Sequence, residues 1–158
     1  MAKFAKYWEQ YSGIFWGAIG GVVVWLLNPS YTDSIDLVKA LPQLTTCIFG
    51  FLLTLLGIIL QGDGPLIQNM KEATKVYNRF IGYNKKVVIL SFVMTLFALL
   101  VGYIRYEWLH NIIVSVNPCM AVYIRRYALS FLAFGSVWLV VDLMIFVKLF
   151  YLLIKQSK

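Results

Sequence analysis

The chain has 158 residues, 61% of them hydrophobic, with a formal net charge of +7 and a mean hydropathy of +0.77. A water-soluble fold of this composition would expose far too much apolar surface, so a soluble enzyme or nucleic-acid-binding domain is excluded. In a membrane protein the basic residues first report orientation, and no direct nucleic-acid partner is expected.

Four stretches almost free of charge, Tyr11 to Leu27, Leu44 to Leu60, Val87 to Ile104 and Tyr127 to Val147, predict four transmembrane helices. Barrel strands would alternate apolar and polar residues, which these stretches do not. The expected fold is an all-α integral membrane protein, and residues 1–158 form a single four-helix transmembrane domain, since the loops are too short for an ordinary soluble one. Ahead of the first span, Phe4, Tyr7 and Trp8 mix with Lys3, Lys6 and Glu9, as in a short lead-in helix at the headgroups. Residues Asn28 to Asp33 offer no small-x-small cleavage site, so the first span is expected to remain as an uncleaved anchor. Within it Gly13, Gly17 and Gly21 recur every four residues, a face that lets another helix come close, either within the chain or between copies.

The first outer loop, Asn28 to Gln43, opens on Asn28-Pro29-Ser30 and places Pro42 at the entrance of the second span. In that span Thr46, Gly50, Thr54 and Gly57 form another small-residue stripe, and Ser91, Thr95, Ala98 and Gly102 form one in the third. Such stripes either seal helix contacts or line a narrow wet path. Between these spans, residues Gln61 to Lys86 set Leu66, Ile67, Met70, Ala73, Tyr77, Phe80 and Ile81 against Lys71, Glu72, Lys75 and Arg79. This pattern predicts a cytoplasmic amphipathic helix. Its basic residues Lys71, Lys75 and Arg79 are candidates for contact with a cytosolic partner or anionic lipid, or it is a plain connector. In the last outer loop, Ile112 to Val116 and Met120 to Ile124 flank Asn117-Pro118-Cys119, which reads as a small extracytoplasmic hairpin.

Asp142 is the single acid inside a span, and a carboxylate there costs about 2.5–3.5 kcal/mol on insertion scales. It reads either as a structural acid paired with a basic group from the inner loop or as a proton or ion site. Cys47 and Cys119 fall at the same end under this topology and are a candidate disulfide. His110 stands without a second ligand, so no metal site is expected. No nucleophile and base pairing, phosphate loop or paired catalytic carboxylates occur, so neither enzymatic chemistry nor a cofactor is expected.

Nine cations, Lys3, Lys6, Lys71, Lys75, Arg79, Lys85, Lys86, Lys155 and Lys158, flank the spans on one side. Four, Lys39, Arg105, Arg125 and Arg126, lie on the other. The positive-inside rule then puts both termini in the cytoplasm, and the compact form fits a bacterial inner membrane.

The run Ile48-Phe49-Gly50-Phe51-Leu52-Leu53-Thr54-Leu55-Leu56-Gly57, a basic inner segment and a third span ending in Gly102-Tyr103 resemble small four-span bacterial and prophage immunity proteins. The phage-exclusion proteins of the RexB kind and the membrane component of the Kiwa anti-phage system are the two families concerned. The first likeness implies a depolarising pore and the second a membrane sensor that holds a cytosolic effector, with homo-oligomers embedded in membrane lipid. The alternative from another class is a structural or assembly subunit of a larger membrane complex. A small transporter would be expected to show an internal duplication or several intramembrane polar residues.

Overall fold

The computed structural model describes residues 2–27, 29, 31–62, 68, 74–103 and 118–156. Four helices make up nearly all of this: α1 (Ala2–Leu27), α2 (Tyr31–Gln61), α3 (Thr74–Tyr103) and α4 (Pro118–Gln156). Three of them contain windows long and apolar enough to cross a membrane: Asp36–Gln61, Tyr77–Gly102 and Val122–Leu152. Tyr11–Leu27 is apolar but shorter. At 1.5 Å per residue its 17 residues rise about 26 Å, a little under a typical hydrocarbon core of about 30 Å. An all-helical fold with three such helices is consistent with a helical membrane protein.

The helices outrun the boundaries expected from apolar runs alone. α2 begins at Tyr31, so most of the anticipated first outer loop is helical and Pro42 lies inside the helix. A proline there removes one backbone donor. One turn on, the Thr45 hydroxyl turns back onto its own helix and shares its proton between the carbonyls of Leu41 (2.9 Å) and Pro42 (3.2 Å).

The expected cytoplasmic amphipathic helix is not a separate element where it is described. From Thr74 it forms the first turns of α3 and passes through Lys86 into the apolar span without a break. Gly82 costs about 1 kcal/mol against alanine, too little to end a helix of this length. The upstream residues 63–67 and 69–73, Lys71 among them, lie outside the described residues.

The expected hairpin is also corrected. Pro118 is the first residue of α4 and Met120 to Ile124 are helical, while Ile112 to Val116 lie outside the described residues. Proline is well suited to the first helical position, where no amide donor is needed, and that outweighs the β preference of Val122 and Ile124. Among the described residues there is no strand.

The helices stand in a row in the order α1, α4, α3, α2, so the two that are adjacent in sequence at the start of the chain form opposite edges. Neighbours in the row run antiparallel. Gly13 lies against Trp138 and Gly21 against Ser130; Lys86 meets Asp142 while Phe97 meets Phe131; Thr45 meets Thr95 while Leu52 meets Asn84. The first residues of α1 and the last of α4 therefore share one end.

Two apolar clusters fill the row. Leu52, Ile59, Phe80, Val87, Leu139 and Phe146 pack at the end that holds the two termini. Val38, Met94, Ala98, Leu129 and Leu132 pack toward the other, where Met94 takes the space left by Gly135.

α1 is seated on α4 by its glycines. A Cβ built on Gly17 would lie 2.8 Å from the Phe134 carbonyl oxygen, and one on Gly20 would lie 2.8 Å from Val137 Cγ2. Gly13 and Gly21 meet α4 as closely, with a Cβ 2.5 Å from Trp138 Cδ1 and 3.2 Å from the Ser130 oxygen. The Ser130 hydroxyl also donates to the Gly21 carbonyl at 2.6 Å. The face carrying Gly13, Gly17 and Gly21 is thus packed on α4 within the chain. Replacing Gly17 by Leu should dislodge α1 and cost at least the 1–3 kcal/mol typical of overpacking, read as a lowered melting temperature in detergent. Gly82→Leu, where nothing lies within 4 Å of the built Cβ, should not lower melting; equal losses would contradict this packing.

Candidate functional site

The sequence separates Lys86 and Asp142 by 56 residues, and the antiparallel packing of α3 on α4 brings them into contact. Asp142 has no exposed surface, and the Lys86 side chain keeps 31% of its own. The Lys86 ammonium donates to Asp142 Oδ1 at 3.2 Å and lies 2.9 Å from Oδ2, off the hydrogen-bonding direction of that second oxygen. Two rings flank the cation, Tyr83 from its own helix at 5.7 Å and Trp138 from α4 at 5.6 Å, which adds attraction to the ring faces. From the third side comes α1, where a Cβ on Gly13 would meet Asp142 Oδ1 at 2.7 Å and Trp138 Nε1 at 2.9 Å. Any larger residue at position 13 would press on both members of the cluster.

The depth of this cluster follows from its neighbours. Asp142 lies 20 residues from the start and 10 from the end of the Val122–Leu152 window, and α4 continues to Gln156. Two residues from Lys86, the fully buried Asn84 donates to the Leu52 carbonyl at 3.5 Å, and Leu52 is the midpoint of the Leu44 to Leu60 run. Relative to α2, the ionic level lies near the middle of its apolar run.

The other interior polar groups are mostly closed against backbone. Ser91 donates to the Val88 carbonyl (2.9 Å), and Thr95 is bonded both to the Ser91 carbonyl (2.8 Å) and to the Thr45 hydroxyl (2.7 Å). The small-residue stripe of α3 therefore seals the contact with α2. At the far end Arg126 donates to the Trp25 carbonyl at 3.0 Å, near the C-terminus of α1, and lies 4.9 Å from the Trp25 ring, which also packs on Tyr127. A guanidinium there satisfies an orphan carbonyl and complements the helix dipole. Asn84 Oδ1, Ser136 Oγ and Trp138 Nε1 are buried without a hydrogen-bond partner.

The remaining sequence candidates lie apart from this cluster. Gly50 and Gly57 lie on α2 with open space at their Cβ positions, and Thr54 donates to the Gly50 carbonyl. Arg79 is exposed on the first turns of α3; Lys75 is in the same helix, with its side chain outside the described residues, and Lys71 lies outside them altogether. Cys47 is an exposed free thiol on α2, while the side chain of Cys119 lies outside the described residues. Among the described residues no group of three or more His, Cys, Asp or Glu could hold a metal ion.

Sequence reasoning did not single out Lys86, Trp138, Asn84 or the Arg126 cap. Asn84 had a readable signal, since it falls four residues after Phe80 and three before Val87 on an otherwise apolar face. The partners of Lys86 and Arg126 come from other helices and leave no mark in local spacing. Comparison with family models, with curated proteins and with solved structures finds no match.

The site neutralises a buried carboxylate and ties three helices together at one level. Asp142→Leu should cost about 3–5 kcal/mol, because it leaves Lys86 charged and unpaired in apolar surroundings. The double replacement Lys86→Met with Asp142→Leu should recover most of that loss, and Asp142→Asn should fall between. Unfolding in a denaturing detergent series measures all three; a double variant no better than the single one would remove the pair as the source of the effect.

Proposed function

We propose that this chain is a four-span anchor in a bacterial inner membrane, with both termini in the cytoplasm, and that it holds a cytosolic effector of an anti-phage defence system. The single observation supporting an anchor over a depolarising pore is that the interior acid and the hydroxyls between α2 and α3 are partnered. Asp142 is matched by Lys86, and the hydroxyls of Thr45, Ser91 and Thr95 are bonded to backbone or to each other. A conduction route needs a succession of polar groups offered to the ion, and these groups are turned toward protein. The defence setting rests on the resemblance to small four-span immunity proteins, and the orientation on the nine-to-four division of cations.

In this reading Lys71, Lys75 and Arg79 face the effector, and copies of the chain associate through the outward face of α2. Gly50 and Gly57 on that face leave room for a second helix to approach. The second reading is a structural or assembly subunit of a larger membrane complex. It is favoured by the same edge of the row, where Leu37, Leu44, Phe51 and Ile58 point away from the other helices.

Purification in mild detergent, followed by mass measurement of the native particle and identification of what is retained, separates the readings. The anchor retains a soluble protein, and Lys71→Glu with Lys75→Glu and Arg79→Glu releases it while the chain stays in the membrane. Gly50→Leu with Gly57→Leu should shrink the particle. Retention of integral membrane subunits alone supports the assembly reading. Depolarisation of infected cells that Asp142→Asn abolishes, with folding intact, would sink the anchor in favour of a pore.

A further inference from the structure

Two cations outside the Lys86–Asp142 pair lie on the outside of the row toward the end that holds the two termini. Lys85 on α3 and Lys148 on α4 are both exposed, and both fall inside apolar windows, eight residues in from Tyr77 and four in from Leu152. At 1.5 Å per residue those offsets are about 12 Å and about 6 Å. The preceding residue, Asn84, contacts the carbonyl of Leu52 at the middle of the apolar run of α2, so Lys85 leaves α3 at a level where α2 is apolar. Ammonium groups in this position bend along their own apolar stems toward the headgroups.

Among the described side chains the only carboxylates are Asp142, buried and held by Lys86, and Asp36, near the opposite end of α2. A cytosolic protein docks above the headgroups and does not descend to these lysines, whereas a lipid phosphate meets them through snorkelling of the lysine stems together with local thinning of the bilayer. We propose that Lys85 and Lys148 bind the phosphates of anionic phospholipids, which hold the α3–α4 side of the row at a set depth. This does not depend on the anchor reading, since it concerns lipid and uses neither Lys71, Lys75 nor Arg79.

The test titrates the full chain in mild detergent with phosphatidylglycerol, phosphatidylcholine or inorganic phosphate, and follows bound species by native mass spectrometry. Phosphatidylglycerol should bind more tightly than phosphatidylcholine, and inorganic phosphate should not bind. Each lysine near the surface is worth about fivefold, so Lys85→Gln with Lys148→Gln should weaken phosphatidylglycerol binding about 25-fold. Lys85→Arg with Lys148→Arg should retain it, and an unchanged melting temperature of each variant shows that the fold is intact. Equal binding of the two lipids, or a Gln variant that binds as well as the parent, overturns the proposal. Binding of inorganic phosphate alone would make this a free-anion site instead. A co-purifying membrane protein lost with the same two lysines would make it a protein interface.

Discussion

A carboxylate with no exposed surface, set among helices that are apolar on nearly every other side, is the constraint on which this structure turns. Asp142 is tolerable there only with a matched cation, and Lys86 only with its acid, because either charge alone in hydrocarbon is costly to keep. A salt bridge is short and directional, so it also sets a register: α3 cannot slide along α4 by one turn without separating the two groups by about 5.4 Å. Apolar contacts such as Phe80 on Phe146 are more forgiving, since a leucine or phenylalanine one turn away can replace them. The ion pair thus supplies specificity where general apolar packing supplies adhesion.

The same carboxylate governs α1. Gly13 comes close enough that a Cβ would touch both Asp142 and Trp138, and the glycines at 17, 20 and 21 continue this approach along α4. With α1 bonded to α4 through Ser130 and Arg126 as well, the shortest of the apolar helices is the one tied most closely to a single neighbour. α2, at the opposite edge, uses its glycines differently. Gly50 and Gly57 leave open space where a Cβ would stand, and the helix joins the row through Val38, Thr45 and Leu52. One edge of the row is closed by glycine packing and the other is left open.

The helical membrane class was legible from uninterrupted apolar runs, and so was the need for a partner at Asp142, since a lone acid in such a run cannot remain unsatisfied. Element boundaries were not. Pro42 and Gly82 are breakers by local rule, yet α2 and α3 continue through them, because each costs a helix of 30 residues or so only a small part of its stability. Val122 and Ile124 carry β preference, and Pro118 with the long apolar sequence behind it makes them helix instead. The glycine faces show the limit most plainly. Gly17 and Gly50 sit in similar four-residue repeats, and only the tertiary order α1, α4, α3, α2 decides that one is covered and the other open.

The account stands or falls on the contact between Lys86 and Asp142 in a lipid bilayer. Solid-state NMR of the full chain in liposomes, with nitrogen-15 at lysine side chains and carbon-13 at aspartate carboxyls, measures it through the dipolar coupling between the two nuclei. A coupling that corresponds to direct contact, lost in Lys86→Met and in Asp142→Asn, is the predicted result. Absence of any lysine–aspartate coupling in the well-folded parent protein would contradict it, and the register of all three helices at this level would have to be assigned to another interaction.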